Sequence, residues 1–163
     1  MNRTRTHSWV DPSELAVATR ATDGLVFSRL LASHRLGPMP MAATLGYTFT
    51  EADHGRVVFV GVPREVVCGP TGFVHGGFAA AMLDSAAGFA VHTTLPAGTG
   101  YTTLDLSVHH LRPITTETGP VRAVGTLLSR GRRTALARAE LRDPMGRLLA
   151  SAVSSCMLFP PEG

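Results

Sequence analysis

Residues 72–91 read GFVHGGFAAAMLDSAAGFAV, and this stretch decides how the chain folds. From Gly76 onward it has the composition of a helix that is apolar on nearly every side, so we expect a sheet to bury it. One carboxylate, Asp84, interrupts the apolar run, and no other acidic residue occurs between Glu65 and Asp105. Because an unpaired carboxylate in an apolar helix costs several kcal/mol, Asp84 is a candidate functional residue.

Two glycines open this helix. Gly76 and Gly77 would leave bare N–H groups at the helix N-terminus, where an oxygen-rich ligand can bind. The same pair could instead serve only close helix packing. We expect His75 to order the preceding loop by hydrogen bonding to the backbone. Alternatively, His75 could act as a general base. Asp84 could itself be a structural acid, paired with Ser85, Thr103 or an arginine.

The remaining chain alternates between helical and extended patterns. The last three extended segments are spaced like an antiparallel meander. The predicted fold is α+β, with a strongly curved antiparallel sheet around one long central helix. We divide the single domain into an N-terminal arm with helices (1–39) and the main unit (40–163). Helices are predicted at 11–22, 25–35 and 76–95, and strands at 44–51, 56–62, 101–111, 121–129, 135–142 and 148–158.

Composition narrows the class of protein. The chain has 163 residues, 44% hydrophobic and 17% charged, which favours one globular domain. All fifteen basic residues are arginines, and they are scattered along the sequence. The resulting net charge of +3 suits an anionic substrate better than nucleic acid. The two cysteines have no metal-binding spacing, so no metal is expected. The sequence shows neither a signal-peptide pattern nor an uninterrupted membrane span, so we expect a cytoplasmic protein.

The motifs as a group resemble the PaaI-type acyl-CoA thioesterases of the hotdog superfamily, over about residues 40–158. Asp84 stands eight residues after Gly76, and a threonine-rich segment that ends in Arg-Pro follows, which makes the match fairly specific. The resemblance implies the hotdog fold, hydrolysis of an acyl-CoA thioester, and no cofactor beyond the coenzyme A of the substrate. The matching segments are 72–77, 83–85, 88, 102–106, 111–113, 131–132 and 143–147.

The resemblance also implies roles for single residues. Asp84 corresponds to the general base or nucleophile, and the N–H of Gly76 to the group that polarises the thioester carbonyl. Thr103 corresponds to the residue that holds the water or the acid. The family often has Asn or Gln six residues before the motif histidine; here that position is Gly69, so Thr71 or an ordered water would have to substitute.

Further residues are candidates for substrate binding. Gly77 and Gly88 are matching positions along the helix. Arg112 and the turn with Arg130 and Arg132 could hold the phosphates of coenzyme A, because guanidinium matches phosphate geometry; a solvated hairpin tip is the alternative for the turn. Aromatic and methionine side chains could line an acyl pocket for aryl or medium aliphatic groups, namely Phe73, Phe78, Met82 and Phe89.

Three other histidines are predicted to have structural rather than catalytic roles. His109 and His110 occupy adjacent strand positions, so they face opposite ways and are expected to be surface or interface residues rather than metal ligands. His92 falls near the end of the central helix, where a positive charge would favour the helix dipole.

Helix geometry predicts how the site is assembled. A rise of about 1.5 Å per residue separates Gly76 from Asp84 by about 12 Å along the axis. Both groups must come within about 3 Å of one reacting centre, so a single chain cannot supply both to the same substrate. We therefore expect a two-fold homodimer with antiparallel central helices and two equivalent sites. The resemblance makes a homotetramer of two such dimers plausible.

Other functions stay open from the sequence. The absence of a side chain at Gly69 favours a non-catalytic module that binds acyl-CoA or acyl ligands. A hydratase or dehydratase of the same fold would need an Asp/His pair with a different loop pattern, which this sequence does not show. A scaffold protein would use the helix only as an interface.

Overall fold

The computed structural model describes residues 1–161 and contains a six-stranded antiparallel sheet crossed by one long helix. The strands lie in the order β1-β2-β4-β5-β6-β3, so β1 and β3 form the two edges. The curved sheet around a long helix confirms the predicted hotdog fold of the α+β class. The helices are α1 (Pro12–Ala21), α2 (Gly24–Ala32), α3 (Pro40–Leu45) and α4 (Gly76–His92), and the strands are β1 (Tyr47–Asp53), β2 (Arg56–Gly61), β3 (Gly100–His110), β4 (Val121–Arg130), β5 (Thr134–Arg142) and β6 (Leu148–Phe159).

The long helix α4 lies directly against the backbone of the sheet. A Cβ atom on Gly125 of β4 would lie 1.9 Å from the carbonyl oxygen of Ala86, so only glycine allows this approach. Met82 and Leu83 of α4 are fully buried, and each such side chain contributes about 2–3 kcal/mol of hydrophobic stabilisation. The close contact at Gly125 therefore fixes where α4 crosses the sheet.

The predicted meander is confirmed, but several predicted boundaries are wrong, including the end of α2, which lies at Ala32 rather than near residue 35. β4, β5 and β6 pair as consecutive antiparallel strands. Residues 44 and 45, predicted as strand, belong to α3, because Pro40 suits the first turn of a helix and Gly46, with φ of +82°, ends it. The helix α4 ends at His92 rather than near residue 95, and the hydroxyl of Thr93 donates to the carbonyl of Ala90 at this end.

The N-terminal segment packs against α3 and against the core formed by α4 and the sheet. Arg5 donates to the carbonyl oxygens of Ala43 and Thr44, which are free at the C-terminal end of α3. Phe27 and Leu31 of α2 are buried in the core cluster that also contains α4 and the sheet. Within residues 1–161, no helix is both long and apolar enough to cross a membrane.

Candidate active site

Among the described residues, the N-terminus of α4 leaves the backbone N–H of Gly76 free. The Nδ1 atom of His75 accepts a hydrogen bond of 2.9 Å from the N–H of Gly77, and the N–H of His75 donates to Val67. His75 therefore caps the helix, as an acceptor at Nδ1 with its proton on Nε2. Among the hydrogen bonds of residues 1–161, the N–H of Gly76 has no acceptor. The N–H of Gly77 is thus bonded to the His75 cap, whereas the N–H of Gly76 is available to a ligand.

Asp84 lies eight residues further along α4 and is half-buried. Its Oδ1 atom accepts a hydrogen bond of 3.0 Å from the hydroxyl of Thr103 on β3. β3 has an irregularity between Thr103 and Asp105, next to this contact. A hydrogen bond from a neutral donor to a carboxylate both orients the group and stabilises its charge, so Thr103 holds Asp84 in one position.

Buried polar groups surround Asp84. The hydroxyl of Tyr47 lies 3.0 Å from that of Ser85, the residue after Asp84. Burial raises the pKa of Tyr47, and the negative charge of Asp84 raises it further against the opposing effect of the Ser85 hydrogen bond. Burial likewise raises the pKa of the Cys156 thiol, and Asp84 adds to this increase. Cys156 is therefore an uncharged neighbour of Asp84 rather than a second nucleophile.

The two candidate reactive groups share the face of α4 that the sheet leaves open. Gly76 and Gly77 are exposed, while Ala81, Asp84 and Ser85 are half-buried on this side of the helix. Gly76 and Asp84 lie about 12 Å apart along the axis of α4, as the rise of a helix requires. The structure of one chain therefore does not bring them to a common reacting centre.

The loop before α4 forms a tight turn. The N–H of Gly69 donates to the carbonyl of Phe73 over 2.8 Å, and the N–H of Gly72 donates to the carbonyl of Gly69. Thr71 and Phe73 are exposed at the tip of this turn. A Cβ atom on Gly69 would meet the His75 ring at 3.7 Å, an ordinary contact distance, so this position has room for a side chain.

Two predicted acyl-pocket residues, and one further position predicted to bind substrate, are buried inside the chain. Phe78 and Met82 are only 2% and 0% exposed and face the core. Gly88 is buried beneath Tyr101, because a Cβ atom there would lie 2.9 Å from the tyrosine ring. These positions therefore support packing within the chain, whereas Phe73 is exposed and Phe89 is half-buried against Phe49 and Phe59.

The three predicted phosphate-binding arginines lie in different places. Arg112 lines a cavity of about 400 Å³ together with His75, Gly76 and His110. Arg130 donates to the carbonyl of Thr94 over 2.6 Å, beyond the other end of α4. Arg132 lines a separate cavity of about 460 Å³ beside the end of β6. Of these three arginines, Arg112 is the one that lines the same described cavity as Gly76.

Two histidines have surroundings that the sequence did not reveal. The ring of His110 packs against Gly76, where a Cβ atom would lie 3.2 Å from Nε2 and 3.3 Å from Cε1. His92 is 3% exposed and lies among the rings of Phe27, Phe89 and Tyr101. Burial lowers the pKa of His92 to about 4, so the prediction of a charged residue that favours the helix dipole is wrong. Strand alternation separates His109 from His110 but does not say which one faces α4.

A larger cavity of about 1130 Å³ lies away from these residues. It is bounded by the N-terminal arm, including Arg3 and Arg5, and by Thr48 and Val60 of the two strands β1 and β2. Neither Asp84 nor Gly76 lines it, so its size alone does not make it the reactive site. Residues 1–161 contain no cluster of three or more His, Cys, Asp or Glu side chains that could hold a metal ion.

The curved sheet around one long helix is the hotdog fold, and comparison with known proteins identifies the family. The family model described as the thioesterase superfamily matches residues 71–150. The phenylacetic acid degradation-related protein of Ralstonia eutropha JMP134 is 32% identical, with a TM-score of 0.68 over 78% of this chain and 98% of that one. The chain belongs to the thioesterase superfamily and is PaaI-like within it.

Two further relatives support this placement. A variant of the phenylacetic acid degradation protein PaaI from Thermus thermophilus is 28% identical, with a TM-score of 0.66 over 72% of this chain and 97% of that one. A curated protein of Halobacterium salinarum, named "Putative esterase", is 36% identical over 44% of this chain. The match spans 60% of that relative, less than two thirds of its length. The names thioesterase and esterase thus recur among the proteins that this chain resembles.

Proposed function

We propose that this protein is an acyl-CoA thioesterase that hydrolyses a small aryl- or medium-chain acyl-CoA to the free acid and coenzyme A. The observation that carries the proposal is the hydrogen-bonded Asp84 on the open face of α4, eight residues after the free N–H of Gly76. The carboxylate of Asp84 can activate water, and the N–H of Gly76 can stabilise a carbonyl oxygen that becomes negative. Membership of the thioesterase superfamily supports hydrolase chemistry in general.

The proposed reaction needs only these groups and water. Asp84, oriented by Thr103, takes a proton from water while the water oxygen bonds to the thioester carbon. The carbonyl oxygen gains negative charge and is held by the N–H of Gly76. Collapse of this intermediate breaks the C–S bond, and the coenzyme A sulfur leaves with the proton that Asp84 held. Direct attack by Asp84 is the alternative; it forms a mixed anhydride that water then hydrolyses.

The proposed site is shared between two copies of the chain. The separation of about 12 Å along α4 is too large for one substrate carbonyl, which needs both groups within about 3 Å. Antiparallel packing of two α4 helices would place Gly76 of one protomer opposite Asp84 of its partner, twice over. The open face of α4, with small residues such as Gly77 and Ala81, suits such an approach.

The test is thiol release from a panel of aryl- and alkyl-CoA esters by the wild type and by Asp84→Asn. We expect turnover by the wild type and a fall in kcat of about three orders of magnitude in the variant, whose similar size should preserve the fold. Thermal unfolding of both proteins provides the control for folding. Turnover that is unchanged by Asp84→Asn would contradict the proposed role of this residue.

A second candidate function, a non-catalytic acyl-CoA binding module, is favoured by the missing side chain at Gly69. The same panel separates the two functions. A binding module would show a melting temperature raised by CoA esters and no release of thiol from any of them.

A further inference from the structure

We propose that His110 is a further catalytic residue of this site, which donates a hydrogen bond to the thioester carbonyl beside the N–H of Gly76. The inference rests on the proposed thioesterase function and adds to it a second donor at the carbonyl. His110 would come from the same protomer as Gly76, whereas Asp84 and Thr103 would come from the partner.

The placement of His110 follows from the register of β3. His110 pairs with Ala150, which is fully buried, whereas His109 pairs with the half-buried Ser151. Because neighbouring strand residues face opposite ways, His110 is on the side of the sheet that carries α4. The side chain of His110 and the backbone of Gly76 line the same cavity of about 400 Å³.

The distance between the two donors suits one oxygen atom. The Nε2 atom of His110 lies 3.2 Å from the point where a Cβ atom on Gly76 would be. Since a Cβ lies about 2.5 Å from its own backbone nitrogen, Nε2 is within about 6 Å of the Gly76 nitrogen. Two donors that each approach one oxygen to about 2.9 Å can be separated by up to about 6 Å. A carbonyl oxygen in the cavity can therefore accept from both.

A second donor would add to the stabilisation that one N–H gives. Oxyanion sites usually combine several oriented donors. The N–H of Gly77 is already taken by His75, and Gly69 has no side chain to contribute. As water adds to the carbonyl carbon, the oxygen becomes negative and the His110 hydrogen bond strengthens. No proton leaves His110, and the bond weakens again when the C–S bond breaks.

Kinetics of matched variants test this role. His110→Phe keeps a ring but removes the donor, and loss of one oxyanion donor is expected to lower kcat by about 10²-fold or more. His110→Gln retains an N–H and should recover most of this loss. His109→Phe makes the same chemical change on the opposite face of β3 and should leave kcat unchanged. Equal rates for His110→Phe and the wild type, or equal losses in the Phe and Gln variants, would overturn the proposal.

A spectroscopic measurement separates the failure of this inference from failure of the proposed function. The C=O stretching frequency of a bound CoA ester is recorded by difference infrared spectroscopy in Asp84→Asn, with and without His110→Phe. We expect a shift to lower frequency on binding that is smaller in the double variant. An unchanged shift would overturn the role of His110 even if the wild type is an active thioesterase. A clear His110-dependent shift without wild-type turnover would instead count against hydrolysis, and failure to bind any CoA ester would contradict both.

Discussion

At the scale of single residues, the site depends on contacts that glycine makes possible. Gly76 presents a free N–H and also lets the His110 ring lie where a side chain would otherwise be. Gly77 allows the His75 cap, because a Cβ atom there would lie 2.9 Å from Nδ1. Because Gly76 and Gly77 have no side chains, the His75 cap can form and the N–H of Gly76 stays open to a ligand.

Two substitutions at Gly76 separate the effect of its N–H from the effect of the space that it leaves for the His110 ring. Gly76→Ala keeps the N–H but presses a methyl group against His110, so we expect a loss of about tenfold in kcat. Gly76→Pro also removes the N–H, while proline suits the first position of a helix and the extended backbone of His75 before it. We expect the proline variant to lose about a further 10²-fold in kcat. Steady-state thiol release measures both, and equal rates in the two variants would show that the Gly76 N–H has no catalytic role.

Thr103 offers a second test at the residue scale. Thr103→Val keeps the shape of the side chain but removes the donor to Asp84, and a hydrogen bond to a charged group contributes about 1.5–3 kcal/mol. We expect kcat to fall by about tenfold or more, with Thr103→Ser close to the wild type. The assay is thiol release, with circular dichroism to compare folding. A valine variant as active as the serine variant would mean that Asp84 does not depend on this contact.

The sequence allowed part of the site to be predicted, for a physical reason. Asp84 and the Gly76–Gly77 pair stand out because charge and glycine are unusual in an apolar helix, and this contrast is visible without a structure. His110 could not be assigned in the same way, because its contact with Gly76 depends on which face of β3 meets α4. That choice is made by the pairing of β3 with β6, which is distant along the chain, and local patterns do not encode it.

At the scale of elements, the end of α4 contains a histidine whose pKa is lowered by burial. The ring nitrogens of His92 have no hydrogen-bond partner within the described chain, and the neighbouring rings are aromatic. The pattern of the helix predicted a long buried segment correctly. It did not predict this cluster, because Phe27 reaches His92 from α2, and the packing of α2 on α4 is a tertiary contact.

The low pKa of His92 predicts a dependence of stability on pH. The folded protein binds the proton with a pKa of about 4, against an ordinary value of 6.5, so the unfolded chain takes up this proton first. Stability should therefore fall as the pH decreases from 6.5 to 4, by up to about 3 kcal/mol from this residue alone, and level off once the pH is well below 4.

The measurement is the free energy of unfolding in urea between about pH 7 and pH 4, for the wild type and His92→Phe. Phenylalanine suits the aromatic surroundings and does not titrate, so the variant should lose this part of the pH dependence and be at least as stable at neutral pH. A difference between the two proteins that stays constant with pH would contradict the account of His92.

At the scale of the whole molecule, one chain forms the fold but only half of each proposed site. The order of helices and strands could be predicted because hydrophobic period changes clearly from helix to strand along the chain. The site geometry could be predicted only as far as the rise of a helix allows, which excludes Gly76 and Asp84 from a common centre in one chain. The short helix α3 escaped prediction because its six residues give too little periodicity to distinguish helix from strand.

Complementation between two inactive variants tests the shared site most directly. Asp84→Asn and Gly76→Pro are each expected to be inactive as homodimers, because every site would lack one group. In a mixed dimer, one site would contain both defects and the other would contain neither. With random exchange of protomers in an equal mixture, about a quarter of wild-type activity should return.

The control is the same mixture kept below the concentration at which the protomers associate, determined by analytical ultracentrifugation. Thiol release that rises from near zero to about a quarter of the wild-type rate, together with the formation of mixed dimers, is the result that a shared site predicts. If mixed dimers form and remain as inactive as the two parents, Gly76 and Asp84 do not act across the interface, and the proposed site is wrong.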